Sequence, residues 1–170
     1  HAAAASEVAR PVSSDIERLT ARARTELAAA LALGSPPHLR VELHTSLDAF
    51  RQATGQPWWV STAVNGTAVD LAPHAVLAQR EGLERSLRRA VAEALLAAEL
   101  ADRPGWVRVG AARYYAAPAR SDSSSRNVRC PSDAELTMAV SAPAHRDAEG
   151  RAETCFAQAL ARTRDWRSVR

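Results

Sequence analysis

Lysine is absent from this 170-residue chain, and all 22 of its basic residues are arginine. The arginines are scattered rather than clustered, which reads as coding bias. With a net charge of only +3 and no strip of interleaved aromatic and basic residues, nothing supports nucleic-acid binding. No apolar run approaches the roughly 20 residues that a membrane-spanning helix needs. Cysteine is nearly absent too: Cys130 and Cys155 are the only thiols, with no CxxC and no Cys/His cluster at zinc-finger spacing. The five histidines, His1, His38, His44, His74 and His145, form no HxH or HxxxH pair. The serine-rich stretch 121–125 has no nucleophile elbow around it, and no glycine-rich phosphate loop occurs.

What is present is a 46% apolar chain long enough for one domain with a sizeable core. Cys130 and Cys155 lie in the C-terminal third, each at or within an expected helix. They are either buried thiols or a helix-to-helix disulfide, and the disulfide is the expectation. It would stabilise by ~3.5 kcal/mol on the chain-entropy account and implies an oxidising, extracytoplasmic compartment. The start, HAAAAS, has neither a charged n-region nor an intact apolar h-region, so any signal peptide is expected to have been removed already.

Along the chain, residues 1–12 read as a disordered N-terminal segment. Ser13, Ser14 and Asp15 can cap a helix whose Ile16, Leu19, Ala23, Leu27 and Leu31 keep a 3.6-residue period to about Leu33. His38 to His44 alternates as a half-buried strand. Thr45 or Ser46 caps a short helix that Gly55 stops, and WWVSTAV reads as an apolar strand. Asn65 and Gly66 then make a tight hairpin turn, with Thr67–Leu71 as the returning strand; Asn65 to Thr67 also fits a glycosylation sequon, which the turn explains better. Pro73 to Arg80 gives a turn or two of helix. The longest helical pattern runs from Leu83 to about Ala101. Leu83, Leu87, Val91, Ala94 and Ala98 make one stripe of it, and Arg89, Glu93, Leu96 and Leu100 lie opposite, which predicts a central helix covered on two sides. A shorter helix, Trp106–Ala116, follows. Residues 118–129 are a polar loop, and helices are expected from Pro131 and over Ala148–Arg164. Strands early and helices late indicate α+β, a small mostly antiparallel sheet packed on helices with a helical C-terminal part. The domain reading is 13–117 as the α+β domain and 130–170 as a helical C-terminal extension.

Three stretches in order, AFRQATGQPWWVSTAVNGTAVDLAPHAVL, SLRRAVAEAL and WVRVGAARYY, resemble the gluzincin branch of the zincin metallopeptidases, the peptidase-MA-like group of bacterial secreted proteins. The likeness spans roughly Leu39 to Tyr115. Family members carry S-L-R-H-E-L-x-H-x-L and then W-x-x-E-G-x-A-x-Y, where two histidines and a downstream glutamate hold zinc and the first glutamate is the general base. Here Arg89 stands at the first histidine position, Ala90 at the base, Glu93 at the second histidine and Val109 at the third ligand, while Trp106, Gly110, Ala112 and Tyr114 of the frame remain.

The resemblance therefore implies a zincin-like fold whose catalytic residues and metal are lost: a pseudopeptidase acting as a binding or structural module of an exported bacterial protein. It implies no metal and no cofactor, with Arg89 and Glu93 paired where the ion would sit. An extended peptide or protein partner would add along Thr67–Leu71 as an edge strand. Trp58, Trp59, Asp70, His74, Arg89, Glu93 and Tyr114 mark the expected cleft, although both tryptophans can equally be core. Two rivals stand beside this reading. One is a hydrolase with a non-standard site around Glu93, assisted by His44 or His74; those histidines can equally be exposed or helix-capping. The other is a plain helical adaptor domain.

Overall fold

A computed structural model describes residues 13–117 and 127–170. The segment 1–12 and most of the polar loop 118–129 lie outside the described residues. The periodic apolar positions of the first segment form α1 (Ser13–Ala30), with Ile16, Ala23 and Leu27 buried. It stops before Gly34 because Ala32 takes the left-handed conformation, φ 52°, while Leu33 N donates to Ala28 O. The alternating segment forms β1 (Arg40–Leu43). Ser46 caps α2 (Leu47–Thr54), which Gly55 closes at φ 68°.

WWVSTAV is only partly strand. Trp58 and Trp59 lie in a turn, and β2 begins at Thr62 (Thr62–Asn65). The guanidinium of Arg80 holds that turn, donating to Ser61 Oγ and to Trp58 O at 2.6 Å each. Gly66, the first of two loop residues, takes φ 60° and lets β3 (Ala68–Leu71) return antiparallel to β2. β1 pairs with β3 in parallel, so the sheet is mixed and its order is β1-β3-β2. This corrects two expectations. The sheet is not mostly antiparallel, and the Thr67–Leu71 segment is not an edge. β3 is central because it carries Val69 and Leu71, both fully buried, and the middle of a sheet is where such residues lose most water. The edges are β1 and β2.

α3 (His74–Ala78) leads to α4 (Leu83–Leu96), which is buried on two sides. Leu87, Ala90 and Val91 join the core formed with the sheet, α1 and α2, whereas Leu96 and the following Leu100 join a second core with α5 and the C-terminus. The helix ends five residues earlier than its pattern indicates, so Ala98 sits in a turn and is exposed. α5 (Gly105–Ala116) starts where Asp133 Oδ1 accepts from Gly105 N at 2.7 Å, an anion placed at the positive end of the helix. α6 (Asp133–Thr137) has a Ser132/Glu135 capping box. α7 (Ala142–Thr163) starts six residues before Ala148, since Ser141 caps it and Pro143 fits its first turn.

α7 lies directly on α5. A Cβ at Gly110 would stand 2.4 Å from Ala152 O, so only glycine permits this approach. Trp166 of a closing 3-10 turn donates its indole N–H to Leu31 O at 3.3 Å. Phe156, Ala159, Trp166 and Val169 of the C-terminal part share a core with Leu31, just after α1, and with residues of α4 and α5. Cys130 and Cys155 form a disulfide. No helix among the described residues is long and apolar enough to cross a membrane.

Candidate functional site

β2 forms one wall of a cleft of about 900 Å³ whose floor is α4 and whose far wall is α5 and the start of α7. The pairing of Ala72 N with Ser61 O fixes which backbone groups point where. Ser61, Ala63 and Asn65 exchange bonds with β3, so Thr62 and Val64 turn their N–H and C=O outward, along the free edge that borders the cleft. Trp58, 53% exposed, stands on the rim with its ring edge-on to Trp59. Across the cleft the α6–α7 connection exposes Met138 and Val140.

Arg89, Glu93 and Val109 all line this cleft, together with Trp58, Trp59 and Asp70. Ala90 does not; it is fully buried beneath the floor. His74 does not either, because it opens α3 on the far side of the sheet. There it lines a second groove of about 870 Å³, with His38 and His44, between α1 and the free edge of β1. Tyr114 turns away into the second core, against Phe156 and Tyr115.

Arg89 and Glu93 are not an ion pair. The Arg89 Nη1 atom lies 2.7 Å from Glu81 Oε1 and 3.6 Å from Glu149 Oε2, and Glu93 has no cationic nitrogen within 4 Å among the described residues. Two causes account for this. Long side chains on a helix lean toward its N-terminus, which carries Arg89 toward Glu81 and away from Glu93. An arginine placed N-terminal to its glutamate is also the weaker order for an i,i+4 pair. Nη1 makes these ion contacts without a well-aligned hydrogen bond.

The charges continue across the cleft. Arg113 Nη1 is 3.0 Å from Glu149 Oε2 and its Nε is 3.2 Å from Glu153, while His145 Nε2 is 3.4 Å from Glu149 Oε1. Burial raises the Glu149 carboxyl, but the His145 hydrogen bond and the Arg89 and Arg113 guanidiniums outweigh it and bring the pKa down to about 2. Glu93 shifts the other way. Its side chain is exposed to the cleft, while the protein packed around it removes part of its hydration. That desolvation raises its pKa, Glu149 adds to the rise, and Arg89 and Arg108 oppose it. Of the carboxylates that line the cleft, Glu149 is locked by cations and Glu93 has no counter-ion within 4 Å among the described residues.

Arg113, His145 and Glu149 were missed in the sequence. His145 and Glu149 are four apart, a spacing that puts both on one helical face, but it has meaning only if α7 already runs through residue 145. Arg113 needed α7 beside α5. Within the sheet His44 Nε2 lies 2.8 Å from Asp70 Oδ1. No family model, no curated protein and no solved structure matches this chain.

Proposed function

We propose that this chain is a degenerate relative of the gluzincin metallopeptidases that keeps a substrate-type cleft and uses it to hold an extended polypeptide without cutting it. The observation that carries the reading is convergence. Arg89, Glu93 and Val109, the positions compared with zinc ligands, line one cleft beside the free edge of β2. A gluzincin-type site needs three ligands and a general base. A guanidinium tied to Glu81 and Glu149, a single carboxylate and a valine supply neither, and a fixed cation repels a divalent ion.

Peptide capture by strand addition needs only outward backbone groups and side pockets, and Thr62, Val64, Trp58 and Met138 provide these. The edge is therefore β2 and not the strand expected from the sequence. The disulfide and the absence of a spanning helix among the described residues agree with an exported protein.

Unfolded casein tests the proposal. Saturable binding without cleavage, weakened several-fold by Thr62→Pro, is the expected result; proline there removes only an outward N–H and is tolerated on an edge. Zinc-dependent cleavage abolished by Glu93→Gln would overturn it. A second reading, acid–base hydrolysis at Glu93, draws on its raised pKa. His44 and His74 do not line the Glu93 cleft, so that reading rests on His145 and Glu149, and metal-independent cleavage lost in Glu93→Gln is its signature.

A further inference from the structure

Away from Arg89 and Glu93, the sheet brings together a second set of chemistry-bearing side chains, of which only Asp70 also lines the cleft. Register places Glu42 of β1 directly opposite Asp70 of β3, and His44 follows two residues along β1, on the same face. One nitrogen or oxygen from each of the three lies within 4.8 Å of the others. Two carboxylates facing each other across a strand pair repel. Among the described residues no arginine reaches either of these two; within 4 Å their only cationic partner there is His44 itself.

His44 is also held in place. Its side chain is 8% exposed, its ring packs edge-on against the buried Phe50 of α2 at 5.8 Å, and Nε2 points at Asp70 Oδ1. Glu42 is exposed, so the group opens to solvent.

We infer that Glu42, His44 and Asp70 form a surface site for a first-row divalent cation, with zinc as the ion of choice. The donor set is one imidazole nitrogen and two carboxylate oxygens, which suits zinc and is poor for soft copper(I) and for calcium. The ion would take the place of the proton shared between His44 and Asp70. Tetrahedral zinc at bond lengths near 2.0–2.1 Å needs its ligands about 3.3 Å apart. The His44–Asp70 contact would open by about half an ångström, and the free Glu42 would swing in. Three protein ligands leave the fourth position to water. The site does not depend on the reading of the cleft, since none of the residues compared with zinc ligands belongs to it.

The test is calorimetric titration of the chelator-stripped chain with zinc chloride, alone and in variants. One zinc per chain is expected. His44→Ala and Asp70→Asn should each weaken it by at least roughly tenfold, a loss typical even of outer-shell partners, with Glu42→Gln weaker by less and Glu93→Gln unchanged. Asp70→Asn keeps shape and hydrogen bonding, so it decides the matter if His44→Ala does not fold. Absence of one-to-one binding, or wild-type affinity in both His44→Ala and Asp70→Asn, would overturn the inference. Zinc lost in Glu93→Gln alone would overturn it and the reading of an inactive cleft together, whereas zinc lost only in the His44 and Asp70 variants leaves that reading intact.

Discussion

Glu93 and Glu149 line the same cleft, and their surroundings drive them in opposite directions, with opposite consequences for pH. Glu149 loses its proton at about 2 in the folded chain, below its ordinary 4.5. Its contribution to stability is therefore present above the unfolded carboxylate range and is lost as pH falls from there toward 2. Glu149→Gln is expected to cost about 2–3 kcal/mol at pH 7, or about 5–10 °C in melting temperature, and to flatten the acid limb of a stability-versus-pH curve. Glu93 has a raised folded pKa, so its contribution is full at low pH and declines as pH rises through that value. Glu93→Gln should raise the melting temperature at pH 8 by about 1–3 °C, a small gain because the cleft lets water reach the carboxylate. Thermal melts from pH 3 to 8 check both. Arg89→Ala removes the cation between Glu81 and Glu149, whose side chains are 29% and 18% exposed, and should cost about 1–3 kcal/mol in a denaturant titration. An unchanged melt would mean that Arg113 and His145 suffice for Glu149.

Among the elements, the contact of α5 with α7 depends most on a single residue. Gly110→Ala would drive a Cβ to 2.4 Å from the Ala152 carbonyl and 2.7 Å from Phe156 Cβ, both on α7. Backbone cannot retreat as a flexible side chain can, so a loss of about 2–4 kcal/mol is expected in urea unfolding. Gly150 is the contrast. It lies within α7 with nothing near its missing Cβ, and Gly150→Ala should stabilise by up to about 1 kcal/mol through helix propensity. The sheet shows the limits of pattern. The presence of a hairpin and the alternation of β1 were legible because they are local, but the loop is Gly66–Thr67, one residue on from the expected Asn65–Gly66, and Asn65 ends β2 paired with Ala68. Strand order was not, because β1 reaches β3 only after α2 and β2 have intervened, and no local signal states that a parallel strand will take the far side of a hairpin. The α4 pattern likewise overran the helix, since Leu100 is buried in a turn as completely as it would be in a helix.

Over the whole molecule, the Cys130–Cys155 bond closes a loop of 25 residues around α6 and ties its start to α7. Replacing both cysteines with serine should lower stability by about 3.5 kcal/mol, read as a shift of the urea midpoint relative to the unreduced chain. Composition, spacing and residue identity by themselves determined the α+β class, the two-sided burial of α4, and which residue types stand at Arg89, Ala90, Glu93 and Val109; the Cys130–Cys155 bond was an expectation that the structure bore out. These are properties of short segments, where a period of 2.0 or 3.6 residues and the chemistry of one side chain are enough. Only the tertiary structure decided that β2 and not β3 borders the cleft, that Arg89 turns to Glu81 and Glu149 and leaves Glu93 without a counter-ion, and that Glu42, His44 and Asp70 meet on one face. Each of those depends on partners brought from distant segments, and the choice among several available carboxylates or strand edges is made by packing the two cores against α4, which no single stretch of sequence encodes.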